Sequence, residues 1–140
     1  MTFLLDVNVL VALLWEDHLH HAAARRWFAA RAGRWSTCAI TQTGFVRVSA
    51  NPIVLEHPVA VAEAVAVLRE AIVHRDHLFL PDPTGFVDNP LVPHDQLIGH
   101  RQVTDAHLVA IARQHSVSVV TFDQTMTDLA PDVVRVIHSS

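Results

Sequence analysis

The 140 residues carry ten Lys or Arg against fourteen Asp or Glu, a net charge of −4, and are 51% hydrophobic with a mean hydropathy of +0.29. This composition excludes a disordered chain and a strongly basic nucleic-acid binder, and the length fits a single domain over residues 1–140. No apolar run reaches a membrane span, Met1 leads straight into a strand pattern without a signal peptide, and Cys38 has no second cysteine to pair with, so a cytoplasmic protein is expected.

Phe3 to Leu5 is a short apolar run of the kind that forms a buried strand, and it ends abruptly in Asp6. Val9 to Trp15 then reads as a helix, with Asn8 at its entrance. Glu16-Asp17-His18 breaks that run, and a second helix is predicted from about His18 to Ala32, with Ala23, Trp27 and Ala30 on its buried face. Gly33 is a natural stop, and Trp35 to Ile40 reads as a strand. Thr41 is placed as the cap of a helix through Gln42, Phe45 and Val48 that Asn51-Pro52 halts.

His57-Pro58 restarts a helix whose apolar stripe is Val61, Val65, Leu68 and Ile72, with Glu63 and Glu70 on the wet side. His77 to Leu80 is a brief strand, and Pro81 to Pro93, with four prolines, is a loop. His94 to His100 is read as a short helix. Thr104 is read as the cap of a helix that begins at Asp105 and buries Leu108, Ile111 and Ala112. Val117 to Phe122 is a strand ending in Asp123, followed by a helical segment to Leu129 and a last strand at Val133 to Ile137. Strands alternating with helices, without repeats or a dividing linker, predict an α/β fold with a mainly parallel central sheet flanked by helices.

In a parallel sheet all strand ends of one sense emerge on one edge, which is where open α/β sheets put their chemistry. Asp6 and Asp123 both end apolar strands, and Asp105 opens a helix that leads into one. Three carboxylates gathered there repel one another and raise a pKa unless a cation intervenes. Hard oxygen donors without clustered Cys or well-spaced His favour Mg²⁺ or Mn²⁺, which can activate water and neutralise charge on a phosphodiester. The alternative is three unrelated helix caps.

Taken together the residues resemble the PIN-domain ribonucleases, and most closely the VapC toxins of bacterial toxin–antitoxin pairs. The matching pieces are Leu4-Leu5-Asp6-Val7-Asn8-Val9-Leu10, then His18-Leu19-His20-His21 leading to Trp27-Phe28, and Ile40-Thr41-Gln42-Thr43-Gly44-Phe45-Val46-Arg47-Val48 with Asn51-Pro52. Thr104-Asp105-Ala106-His107-Leu108 and Val120-Thr121-Phe122-Asp123 complete the set, in order, over nearly the whole chain. The resemblance implies a Rossmann-like PIN fold and a Mg²⁺- or Mn²⁺-dependent endoribonuclease that hydrolyses RNA phosphodiesters. It also implies a VapB-like antitoxin that covers the cleft, and a homodimer. It assigns Asp6, Asp105 and Asp123 to the acidic metal site, Asn8 to orienting the first Asp or a water, and Thr121 to a position where the family often has a small hydroxyl residue.

One position departs from the pattern. Many PIN domains carry Glu where this chain has Gln42, whose carbonyl can still ligate but brings no charge. The alternative function is therefore a catalytically weakened PIN domain that holds RNA or its antitoxin. Asp6-Val7-Asn8 also resembles, faintly, the nucleophile loop of haloacid-dehalogenase-type phosphatases, but that site needs a Lys and the chain has none.

Of the eleven histidines, His18, His20 and His21 are read as packing and capping groups, because no Cys or HExxH-like partner follows them. His74, His77, His94 and His100 are read as surface or loop residues. Every basic residue is Arg. Arg25, Arg26, Arg31 and Arg34 form either a stripe for an RNA backbone or a solvated helix face, and Arg47 and Asp128 are read as surface residues. Trp15, Trp27 and Phe45 are core or dimer contacts, and Cys38 is core filler.

Overall fold

The first strand is short because its apolar run, Phe3 to Leu5, ends at Asp6. β1 (Thr2–Leu5) lies between β2 (Arg34–Thr37) and β4 (Ser118–Thr121). β3 (His77–Phe79) pairs beyond β2 and β5 (Val134–Val136) beyond β4, so the order is β3-β2-β1-β4-β5 and every pairing is parallel. A computed structural model describes residues 1–139.

The strand periodicity of two separates two cores. Leu5, Trp35 and Val120 face one side of the sheet, where they pack with α1 (Val7–Leu14), α2 (His21–Ala30), α3 (Ala39–Ser49) and α4 (Val61–Ile72). Leu4 and Val119 face the other side, against Leu108, Val109, Ile111 and Ala112 of α5 (Val103–His115). The proline-rich segment after β3 lies over α5 through Phe86, Val92 and Leu97, which meet Ala106 and Ala110. Asp82 is held there by His107 at 2.6 Å, and the Pro81 carbonyl by His115 at 2.7 Å.

Strand order decides where chemistry can sit. The chain winds outward from β1 to β2 and β3, then returns to the other side of β1 for β4 and β5. The direction therefore reverses between β1 and β4, which opens a crevice at their carboxyl ends.

Several predicted boundaries shift, each for a local reason. β2 stops at Thr37, not Ile40, because Thr41 folds back as the third residue of α3: Cys38 N–H donates to Thr41 Oγ1 at 2.9 Å, so Cys38, not Thr41, caps the helix. α2 starts at His21, because His18 Nδ1 accepts from the His20 N–H and turns the chain first. Its buried residues are Ala23 and Ala24, with Trp27 half-buried and Ala30 exposed. α4 starts at Val61, because Pro58 biases His57 away from helix; Val61 is exposed, and Ala64 with Leu68 carries the contact.

The predicted helix at residues 94–100 is two 3-10 turns, His94–Gln96 and His100–Gln102. α5 begins at Val103, so Thr104 is an exposed helical residue and not a cap. Arg31 leaves the proposed basic stripe: its guanidinium turns inward to pair with Asp76 and lies over the Phe28 ring.

Candidate metal centre

Asp6 is the last strand residue and the first cap in one. Its backbone N–H still joins the sheet through Val120 O at 2.9 Å, while its carboxylate accepts from the Val7 N–H at 2.8 Å to cap α1. The other oxygen, Oδ2, accepts from the Thr121 hydroxyl at 2.7 Å. Burial raises the Asp6 pKa; the Thr121 and Val7 hydrogen bonds oppose the rise, and the Asp123 charge adds to it.

Thr121 joins the two central strand ends. Its hydroxyl hydrogen goes to Asp6, and its oxygen accepts from Asn8 Nδ2 at 3.2 Å and from the Asp123 N–H at 3.0 Å. Asn8 Oδ1 accepts from the Phe122 N–H at 3.2 Å. Asn8 thus reaches Asp6 through Thr121, and it pins the end of β4 to the first turn of α1. Asp123 caps the 3-10 turn Gln124–Asp128, and its Oδ1 accepts from both the N–H and the hydroxyl of Thr125. Among the described residues its Oδ2 has no such bond.

α5 runs antiparallel to β4, so its first turn lies at the edge where the strands end, and Asp105 sits in that turn. Its pKa is raised to about 6, first by burial, then by the charges of Asp6 and Asp123. No hydrogen bond offsets these causes. Asp6, Asp105 and Asp123 therefore share one electrostatic environment at the switch-point crevice. Among the described residues no group of three or more His, Cys, Asp or Glu is drawn tightly enough together to grip an ion by itself. The donors are nevertheless hard oxygens, and their mutual repulsion is what a divalent cation would relieve.

Gln42 is placed differently. It lies in the first turns of α3 at the same sheet edge, but its Nε2 donates to Thr37 Oγ1 at 3.0 Å, with no hydrogen bond to the three carboxylates. With Val46, Arg47, Leu68 and Arg69 it lines a groove of about 480 Å³ between α3 and α4.

The PIN domain family model matches residues 3–130. The chain belongs to the PIN-domain family. Within it, this PIN domain is 48% identical over 130 residues to Ribonuclease VapC38 of Mycobacterium tuberculosis, covering 91% of this chain and 89% of that one. It is 42% identical over 131 residues to Ribonuclease VapC39 of the same organism, covering 93% and 94%. Among solved structures it is similar to Mycobacterium tuberculosis VapC20, a sarcin-ricin loop cleaving toxin. The TM-score is 0.67 at 18% identity, over 97% of this chain and 99% of that chain. That likeness fixes the fold alone.

Two residues beside Gln42 in this PIN domain escape sequence reading. Thr37 is hidden because the strand pattern runs on to Ile40, and His77, although it opens the predicted strand at 77–80, is read with the surface or loop histidines. In the fold His77 is half-buried, its Nε2 lies 2.8 Å from Thr37 Oγ1, and its ring meets Trp35 edge-on at 4.6 Å. The His18–His20–His21 group packs, with His20 stacked on Phe122 and His21 Nδ1 2.8 Å from Ala12 O of α1. The expected capping of α2 is not made: the His20 side chain at its N-cap forms no cap hydrogen bond.

Proposed function

We propose that this chain, as one PIN domain over residues 1–140, is a ribonuclease that hydrolyses RNA phosphodiester bonds as the toxin of a VapBC-like pair. One observation carries the reading: at the crevice between the ends of β1 and β4, the Thr121 hydroxyl ties Asp6 to the Asp123 backbone, and both carboxylates act on the half-buried Asp105. The names of the VapC relatives support RNA as substrate.

Asp6, Asp105 and Asp123 would hold Mg²⁺ or Mn²⁺; Asn8 would act through Thr121, and the Gln42 carbonyl would supply a neutral oxygen. Such an ion neutralises phosphodiester charge and lowers the pKa of water when bound. Thr121 keeps Asp6 Oδ2 aimed and partly compensates its burial, and Asn8 locks Thr121 in place. Asp123 keeps one oxygen for Thr125, and the other would be available to the ion. With a net charge of −4, attraction to RNA rests on local arginines and on the shape of the RNA, not on bulk charge.

No helix among the described residues is long and apolar enough to cross a membrane. We place the protein in the cytoplasm, as a homodimer whose acidic edge is covered by a VapB-like antitoxin. Incubating the purified protein with a structured RNA in Mg²⁺ or Mn²⁺ tests the activity. Cleavage that Asp6→Ala abolishes is expected. RNA bound but uncut by the native chain would favour the second reading, a binding module weakened by the neutral Gln42.

A further inference from the structure

The amide nitrogen of Gln42, the hydroxyl of Thr37 and the imidazole of His77 form a line from α3 through the end of β2 to β3. Thr37 is wholly buried. A hydroxyl has one hydrogen to give and two lone pairs to fill. The Gln42 Nε2 group can only donate, so it fills one lone pair, and the Thr37 hydrogen needs an acceptor of its own. Left without one it costs the full desolvation of a buried donor. His77 Nε2, 2.8 Å away, accepts it when the ring carries its hydrogen on Nδ1.

We propose that His77, acting through Thr37, is a positioning residue for Gln42: the imidazole is held as the Nδ1–H tautomer, accepts the Thr37 hydrogen at Nε2, and so fixes the Gln42 amide with its carbonyl oxygen free. The functional half of this statement rests on the nuclease reading above; the hydrogen-bond half does not. Burial, then the Arg34 charge, holds the His77 pKa below the usual range, in keeping with a neutral ring. The Trp35 ring braces the imidazole, and Trp35 is itself tied to Asp76 through its indole N–H. Only the oxygen of a Gln amide can face a cation or order a water as acceptor. A relay that occupies the nitrogen therefore selects the useful end of the side chain.

The line also has a direction that the residue at position 42 sets. A carboxylate there cannot donate to Thr37, so Thr37 must donate to it, and His77 must then donate to Thr37. Gln42→Glu should reverse the tautomer of a residue to which it is linked only through Thr37.

Long-range ¹H–¹⁵N spectra of the metal-free protein near neutral pH read this directly, with the His77 signals assigned by their loss in His77→Gln. The expected result is the Nδ1–H tautomer in the native chain and the Nε2–H tautomer in Gln42→Glu. An Nε2–H tautomer in the native chain, or one unmoved by Gln42→Glu, overturns the relay. In RNA cleavage, His77→Ala is expected to lower kcat about tenfold with KM little changed. His77→Gln, which puts an acceptor oxygen at similar reach, is expected to restore most of it. A folded His77→Ala protein that cleaves like the native one overturns the positioning role. A native chain that cuts no RNA defeats the nuclease reading and leaves the spectra to decide the relay.

Discussion

Thr121 donates its hydroxyl hydrogen to Asp6 Oδ2 at 2.7 Å, closing a contact between residues 115 apart in sequence. The same oxygen accepts from Asn8 and from the Asp123 backbone, so one hydroxyl ties the ends of β1 and β4 to the first turn of α1. Thr121→Val keeps the shape and removes all three bonds. It leaves the buried Asp6 Oδ2 and two half-buried donors unpaired, and a loss of about 1–3 kcal/mol in urea unfolding is expected. The cation needed for half-maximal cleavage should rise as well, and Thr121→Ser should restore both.

Asp105 makes the metal-free protein pH-sensitive. Its pKa is raised from 3.8 to about 6, so the folded state favours the protonated form. The stability this gives is full below the unfolded value of 3.8 and is lost as pH rises through about 6. Asp105→Asn removes the group that repels Asp6 and Asp123. Above neutral pH, without metal, it should be more stable than the native chain by about 1 kcal/mol, a figure reduced for the partial exposure of the group. Thermal melts with chelator across that range test the sign. A native chain that gains stability on passing upward through the same range would contradict it.

At position 42 a carboxylate adds charge that a cation rewards. Gln42→Glu is expected to lower the Mg²⁺ or Mn²⁺ concentration for half-maximal cleavage by roughly three- to tenfold. An unchanged titration would show that this side chain lies outside the surroundings of the ion.

Gly44 sets the distance between α3 and the start of α1. A Cβ there would lie 2.5 Å from Val7 Cγ2, and the stiff β-branched Val7 cannot yield by a rotamer change. Val7 supplies the N–H that the Asp6 carboxylate caps. Gly44→Ala is therefore expected to cost about 1–3 kcal/mol of stability despite its better helix propensity. It should also slow cleavage by tilting the Asp6 cap. Urea unfolding and single-turnover cleavage on the same preparation separate the two effects.

The edge holding the carboxylates was legible because Asp6 and Asp123 interrupt apolar runs too short to be anything but buried strands. A parallel sheet then sends both to one side. Asp105 was legible because a helix entering β4 must begin there. Hydrogen bonds between distant residues were not legible. Nothing in the local pattern shows that Thr41 folds back on Cys38 and so ends β2 at Thr37, or that Arg31 turns in to Asp76 rather than out to solvent. The role of Thr37 and His77 depends on β2 and β3 being neighbours, a fact of topology that residue spacing does not carry. The turns at 94–102 failed as a helix because Gly99 and the loop packing on α5 outweigh weak local propensity.

The central claim, that Asp6, Asp105 and Asp123 jointly bind a divalent cation, is tested most directly by Mn²⁺ binding followed by electron paramagnetic resonance. The native chain and Asp6→Ala, Asp105→Ala and Asp123→Ala variants of verified fold would be compared. The expected result is saturable binding by the native chain that tightens as pH rises through about 6, where Asp105 gives up its proton, and that each substitution weakens by about tenfold or more. Native-like Mn²⁺ binding in any of the three variants would contradict the account.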